Sequence, residues 1–201
     1  MDRRKLLAIA VGLSLAGSAF AQSSGSPARL RGKINAVSDD AIQLTLRNGA
    51  KASAKLSSNV RIVWLTVAQP NEIKQGSYVG TAAVPQADGT LKALEVQVFP
   101  ESMRGVGEGS RDWDLGPGSS MTNGTVGSLV AAKGRTITIT YKGGDKRVVV
   151  PDDVPIVTYE PANREALTVG ASVLVNGSRA ADGTVTATSV SVGKNGLVPP
   201  M

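Results

Sequence analysis

Apolar and polar residues alternate along most of this chain, which is the pattern of half-buried β-strands. Ile42, Leu44 and Leu46 alternate with polar neighbours, and similar alternation marks residues 77–84 and 91–98. No stretch keeps a helical period, and only residues 70–74 read as a single helical turn. The pattern therefore predicts an all-β fold made of many short strands.

Turn residues separate these strands at regular intervals. Asn48-Gly49 predicts a hairpin with a type I′ turn, in which both central residues have positive φ. Asp88-Gly89 joins the predicted strands 77–84 and 91–98, and Gly76 ends the helical turn. The first half of the chain thus reads as five or six strands.

The second half repeats this order of strands and turns. Gly32 corresponds to Gly124 at an offset of 92 residues. Three further landmarks recur at an offset of 94: Ile62 with Ile156, Gly76 with Gly170, and Asp88-Gly89 with Asp182-Gly183. Chance similarity of two β-rich stretches is the alternative, but a nearly constant register favours an internal duplication.

Each copy has the length of a small domain, and closure into a barrel would remove exposed strand edges. We therefore predict two tandem OB-like β-barrels related by internal duplication. The predicted division is a signal peptide at 1–21, a disordered leader at 22–29, a first barrel at 30–98, a Gly-rich central segment at 99–122, a second barrel at 123–193 and a C-terminal tail at 194–201.

The N-terminus has the three parts of a secretory signal. Arg3, Arg4 and Lys5 precede an apolar run at residues 6–16, and Ala19-Phe20-Ala21 has the small-x-small form of a cleavage site. The rest of a twin-arginine motif is missing, which favours Sec-type export. No cysteine follows for lipidation, and no later segment has transmembrane length. These features predict a soluble periplasmic protein with no membrane span.

Composition excludes several kinds of chemistry. Cysteine and histidine are both absent, which removes disulfides, thiolate nucleophiles, Cys/His metal sites and histidine bases. The formal net charge is +6, and no block of like charges follows the N-terminus. This small excess of positive charge argues for solubility more than for a polyanionic partner.

Several stretches resemble a known family. They are Arg31-Gly32-Lys33-Ile34, the run PQADGTLKALEVQVFPE at residues 85–101, and then MRGVGEG and WDLGPGSSMTN. They are similar to exported bacterial proteins built from small OB-like barrels, a domain of unknown function. The resemblance implies a periplasmic location and a tandem barrel architecture, and it implies no activity. The family pattern has a histidine and Arg-Pro after Gly-Glu-Gly, whereas Ser110, Arg111 and Asp112 stand there in this chain.

The central segment carries the candidate site. It holds five glycines, six charges and Trp113, whose ring buries on the order of 200 Å² when it packs. We define the predicted contact patch as Met103, Arg104, Glu108, Arg111, Trp113 and Asp114. One interpretation is a clamp, in which Trp113 and Met103 fill the junction between barrels while the charges pair with one another. The other is a recognition patch, because exposed Trp and Arg dominate binding hot spots.

Other chemistries find weaker support. Asp112 and Asp114 begin like a calcium loop, but its further acidic ligands are missing, so we expect no metal and no cofactor. Glu101 and Glu108, with these two aspartates, could form the acid–base pair of a hydrolase, yet such neighbours of arginines are more often ion pairs. OB barrels often bind nucleic acid, which needs a basic groove with stacking aromatics. Export and scattered lysines argue against that partner.

The sequence therefore predicts a non-catalytic binding or assembly module of the cell envelope, with the contact patch as its binding surface. Its partner would be another envelope protein. The alternative is a periplasmic carrier of a small ligand or metal that uses the same segment. A carboxylate-based hydrolase is a distant third hypothesis.

Overall fold

The computed structural model describes residues 25–130 and 135–201, and in them the predicted all-β fold is confirmed. The predicted signal peptide lies outside the described residues. The strands are β1 (Ser26–Val37), β2 (Ala41–Leu46), β3 (Lys51–Val67), β4 (Tyr78–Pro85), β5 (Leu91–Val98), β6 (Gly109–Asp112), β7 (Ser120–Val130), β8 (Arg135–Tyr141), β9 (Gly144–Val150), β10 (Ile156–Pro161), β11 (Ser172–Arg179) and β12 (Val185–Gly193). Short 3-10 turns lie at Pro70–Glu72, Glu101–Met103, Arg164–Ala166 and Lys194–Gly196.

Five strands close into a barrel that we call ring A. Strands β1, β2 and β3 form an antiparallel meander. Strand β11 pairs antiparallel with β1 and β12, and β12 runs parallel to β3, which closes the ring. The predicted small closed barrel, of the five-stranded OB-like kind, is therefore confirmed.

A second ring, ring B, contains β4, β5, β7, β8 and β9. Strands β7, β8 and β9 form its meander, and β4 pairs antiparallel with both β5 and β7. The ring closes through a short parallel contact in which Leu91 pairs with Val148 and Lys92 with Val149. Strand β10 runs antiparallel to β3 and parallel to β5, so it joins the two rings in one sheet.

These pairings correct the predicted barrel boundaries. Residues 30–98 and 123–193 do not form separate barrels, because each ring takes its meander from one half of the chain and its closing hairpin from the other. The alternation of apolar residues fixes which face of a strand is buried, but it does not fix which strand pairs with it. Strand β3 is also longer than expected, since it merges the predicted strands 52–56 and 61–67. The internal duplication itself stays a prediction.

The predicted disordered leader at 22–29 is wrong for its last four residues. Strand β1 begins at Ser26, which pairs with Arg179 of β11. Ala28 is buried in the core of ring A. A backbone ladder and a buried side chain order this stretch although its composition is polar.

The turn at Asn48-Gly49 forms the predicted hairpin with a different geometry. Gly49 has φ +84°, whereas Asn48 does not have positive φ. The amide of Leu46 donates to the carbonyl of Ala50, and the amide of Gly49 donates back to Leu46. This is a longer loop with one glycine in the left-handed region, so the type I′ prediction is wrong.

Three apolar clusters stabilise the described part of the chain. Ile34, Ile42 and Leu44 lie inside ring A, and Ile137 and Ile139 lie inside ring B. The third cluster lies between the rings and contains Leu65, Ala82, Met121, Val157, Leu174 and Met201, with Trp113 packed against it. The outer faces of the two rings therefore meet in an apolar interface, which positions the site described next.

Within residues 25–130 and 135–201, no helix has the length and apolar character needed to cross a membrane.

Candidate functional site

The central segment runs along the interface between the rings and is held there by strand pairing and hydrogen bonds. Its short strand β6 pairs with β7, so that Gly109 lies opposite Asn123 and Arg111 opposite Met121. The hydroxyl of Tyr78 and the side-chain amide of Asn123 both donate to the carbonyl of Val106, at 3.2 and 3.1 Å. The segment is thus an ordered wall and not a loose linker.

The structure divides the predicted contact patch into two groups. Met103, Arg111 and Trp113 line a cavity between the rings. Arg104, Glu108 and Asp114 do not line it. The patch is therefore not one continuous surface, although all six residues belong to the same segment.

Arg104 and Glu108 fasten the segment to ring B. The Arg104 guanidinium contacts both carboxylate oxygens of Glu101, at 2.6 and 2.8 Å, and donates to the carbonyl of Gly76. Hydrogen bonding to Arg104 keeps the pKa of Glu101 below its ordinary value. The carboxylate of Glu108 accepts a hydrogen bond from the backbone amide of Lys142 at 2.9 Å. These contacts fix the segment's position but leave both side chains exposed.

Asp114 fastens the other end of the segment to ring A. Both of its carboxylate oxygens accept hydrogen bonds from the Arg31 guanidinium, at 2.9 and 2.7 Å, and Arg29 lies 3.7 Å from the same carboxylate. The hydrogen bonds from Arg31, together with the charges of Arg31 and Arg29, hold the pKa of Asp114 below its ordinary value. The clamp interpretation expects the charged residues of the segment to be paired. Asp114 is paired, but its partner Arg31 lies on β1 and not within the segment.

Trp113 is half-buried against the apolar interface. The Arg29 guanidinium lies over its ring, 3.6 Å from the centroid, and the Arg111 guanidinium lies 5.7 Å away. Both distances are within the range of cation–π attraction. Trp113 thus joins the two rings, as the clamp interpretation expects, and also forms part of a cavity wall.

The cavity has a volume of about 310 Å³ and is partly open to solvent. Ring A contributes Arg29, Arg61, Leu174, Asn176, Ser189 and Ser191, and ring B contributes Gln97, Met121 and Asn123. Tyr159 of β10, Met201 and the central segment also line it. The volume lies at the lower end of ordinary ligand sites, which hold one small molecule.

The lining is positively charged. Its charged side chains are Arg29, Arg61 and Arg111, and among the described residues no Asp or Glu side chain belongs to it. Burial, and then the charge of Arg29, lowers the pKa of Arg111 from its ordinary value. The arrangement therefore costs desolvation and like-charge repulsion, which an anion in the cavity would relieve.

A chain of buried polar groups leads from the cavity into the interface. The hydroxyl of Tyr159 donates to the side-chain carbonyl of Gln97, and the Gln97 amide donates to the Glu95 carboxylate at 2.8 Å. Glu95 is fully buried, and desolvation raises its pKa to about 7. Glu95 is outside the cavity lining but is connected to it through Gln97.

Two buried polar atoms beside the cavity have no hydrogen-bond partner in the described residues. They are the indole nitrogen Nε1 of Trp113 and the side-chain oxygen Oδ1 of Asn123. Such atoms are uncommon because each loses its water without compensation. Both atoms are closed off from solvent, so they are unsatisfied groups inside the cavity wall and not contacts open to a ligand.

Sequence reasoning missed the residues that the rings contribute. Arg29 falls in the predicted leader, and neither Arg61 nor Tyr159 is singled out in the sequence analysis. These side chains meet only because β1, β3, β10, β11 and β12 are brought together by long-range pairing. No local signal in the sequence indicates that pairing.

No group of three or more acidic, histidine or cysteine side chains lies close enough to hold a metal ion in the described residues. Asp112 and Asp114, which begin the incomplete calcium pattern, belong to no such group. The four carboxylates considered for hydrolysis, Glu101, Glu108, Asp112 and Asp114, all lie outside the cavity lining.

Residues 119–191 match the model of a family described as a domain of unknown function, DUF5666. The match agrees with the resemblance and carries no activity with it. No curated protein and no solved structure matches the chain.

Proposed function

We propose that this protein is a non-catalytic, periplasmic binding protein that holds a small ligand in the cavity between rings A and B. The observation that carries the proposal is the position of the central segment. Its residues Met103, Arg111 and Trp113 form one wall of a cavity whose other walls combine apolar and polar side chains of the strands. Apolar walls with a few convergent polar groups are typical of small-molecule sites.

The periplasmic location rests on the N-terminal sequence pattern, with its basic residues, apolar run and cleavage site. The absence of a catalytic role rests on chemistry. The chain has no histidine or cysteine, and no Asp or Glu side chain of the described residues lines the cavity. The hydroxyl groups of Ser189, Ser191 and Tyr159 therefore have no histidine, aspartate or glutamate beside them in the lining to act as a general base.

A protein-binding role in envelope assembly is the second candidate. It is favoured by the exposure of Arg104 and Glu108 on the outer side of the central segment. However, both side chains are already engaged within the chain, by Glu101 and by the amide of Lys142. A protein partner at this surface would therefore have to compete with these internal contacts. The cavity, in contrast, is open to a ligand.

Native mass spectrometry of the exported protein, purified from the cells that produce it, tests the proposal. Ser189→Trp would fill the cavity, because Ser189 lines it from β12. Ser128→Trp is the matched control, because Ser128 is exposed on β7 and outside the cavity. We expect a bound small mass in the wild type and in Ser128→Trp, and its loss in Ser189→Trp. A ligand-free wild type that instead carries a cross-linked protein from a photo-reactive residue at Asp112 would support the assembly role.

A further inference from the structure

The three arginines of the cavity lining differ in how far their charges are balanced. Asp114 lies 3.7 Å from Arg29, but its two short hydrogen bonds go to Arg31, which is outside the lining. In residues 25–130 and 135–201, neither Arg61 nor Arg111 has a carboxylate within 4.0 Å. Two guanidinium groups therefore face the cavity without a counter-charge from the protein.

The side chains of the cavity lining offer several hydrogen-bond donors. The Arg111 guanidinium donates to the carbonyl of Gly107 at 2.9 Å, which uses only one of its five N–H groups. Ser189 and Ser191 add hydroxyl groups from β12. A ligand with several acceptor oxygens matches this set.

The lining also contains apolar side chains. Val63, Phe99, Met121 and Leu174 contribute side chains from both rings. A bare inorganic ion would leave these walls in contact with water, whereas an organic group would cover them. With a volume of about 310 Å³, the cavity has room for a small aromatic molecule of two or three rings but not for a polymer.

We propose that the ligand is a small organic anion. Its carboxylate, sulfonate or phosphate group binds Arg61 and Arg111, and its apolar body lies against Phe99, Met121 and Leu174. This inference rests on the proposed function, since it names the chemical class of ligand for the same cavity. Guanidinium groups suit such oxyanions because their N–H groups match the spacing of two oxygens.

A pair of fluorescent probes tests the charge preference directly. Anilinonaphthalene sulfonate is an aromatic anion, and phenylnaphthylamine has the same aromatic core without the charge. Both become fluorescent in apolar surroundings, so one titration format measures the dissociation constants of both. Arg61→Gln and Arg111→Gln remove one cavity charge each. Arg147→Gln is the matched control, because Arg147 is exposed on β9 and outside the lining.

We expect the sulfonate probe to bind at least tenfold more tightly than the neutral probe. Each cavity substitution should weaken the sulfonate about tenfold, the usual effect of losing a charged hydrogen bond, and leave the neutral probe unchanged. Arg147→Gln should bind both probes as the wild type does. Arg61 is an exposed strand residue, so its variant keeps the test valid if Arg111→Gln fails to fold.

Two results would overturn the inference. One rejects only the anionic ligand, and the other also rejects the cavity as a binding site. Equal binding of both probes, insensitive to the arginine substitutions but abolished by Ser189→Trp, would reject an anionic ligand while keeping the cavity as a binding site. Failure of both probes to bind the folded wild type would reject the proposed function as well.

Discussion

The Arg29 guanidinium lies 3.6 Å from the centroid of the Trp113 ring, which joins the first strand of ring A to the central segment. Arg29 is mostly buried, with 24% of its side chain exposed. Because the chain between them forms a large part of both rings, this contact closes a loop across the interface. Its strength is therefore a direct measure of how the segment is clamped.

A double-mutant cycle measures this contact. We expect Arg29→Gln and Trp113→Leu each to lower the free energy of unfolding, and the pair to show a coupling of about 1 kcal/mol, as for a partly desolvated cation–π pair. Urea unfolding followed by circular dichroism gives the four values. Additive losses would mean that the two side chains pack independently and that Arg29 does not fasten the segment.

Asp114→Asn should weaken the attachment of the segment to ring A in a pH-dependent way. Hydrogen bonds from Arg31 depress the pKa of Asp114 in the folded state below its ordinary value of 3.8. The stabilisation is therefore full above pH 3.8 and is lost as the pH falls through the folded-state pKa. The side chain is 44% exposed, so we expect a loss of only about 1 kcal/mol at neutral pH.

Urea titrations of Asp114→Asn and wild type at pH 7 and pH 3 test this prediction, with Asp145→Asn as an exposed control on β9. The difference between Asp114→Asn and wild type should shrink at the lower pH. A difference of the same size at both pH values would show that the charge of Asp114 is not what stabilises the contact.

Glu95 should give the opposite pH dependence. Desolvation raises its pKa from 4.5 to about 7, so the folded protein holds a proton that the unfolded chain releases. The contribution of this group to stability is therefore greatest below pH 4.5 and falls as the pH rises to about 7. The expected fall is about 3 kcal/mol at most, from the size of the shift.

Glu95→Gln keeps the side-chain shape and removes the titration. We expect the variant to lack this decline, and to be more stable than the wild type at pH 8 and not at pH 4. Unfolding midpoints in urea across this range provide the measurement. Parallel pH profiles for the two proteins would mean that Glu95 stays ionised in the folded state.

The interleaving of the rings predicts how the chain tolerates a cut. Residues 25–105 hold the meander of ring A and the closing hairpin of ring B, and residues 106–201 hold the reverse. We expect the two fragments, produced together, to purify as a one-to-one complex with a cooperative thermal transition. Neither fragment alone should melt cooperatively as a monomer, which size-exclusion chromatography with calorimetry can check. A monomeric, cooperatively melting fragment would mean that one half closes its own barrel.

The strands and turns of this protein could be predicted because they depend on local pattern. Period-2 alternation and the Asn-Gly and Asp-Gly turns marked most strands to within a few residues. The exchange of hairpins between rings could not be predicted, because a strand's apolar face fits either barrel equally well. Strand β3 shows the difference, since its residues read as two strands while its pairing with β12, which spans both pieces, makes it one.

Only one wall of the cavity, the one formed by the central segment, could be predicted from the sequence. Met103, Arg111 and Trp113 stood out because a glycine-rich segment with Trp and Arg is unlike a plain linker. Arg29, Arg61 and Tyr159 lie on ordinary alternating strands, and their side chains meet through strand pairing. Arg104, Glu108 and Asp114 were grouped with the site by composition, yet they hold the segment in place from outside the cavity.

A crystal structure with anilinonaphthalene sulfonate bound tests most directly whether the cavity between the rings is the binding site. We expect its sulfonate within hydrogen-bond distance of Arg61 and Arg111, with the aromatic rings against Phe99 and Leu174. The probe bound instead at an exposed apolar residue such as Val67 or Val169, with the cavity empty, would contradict the account.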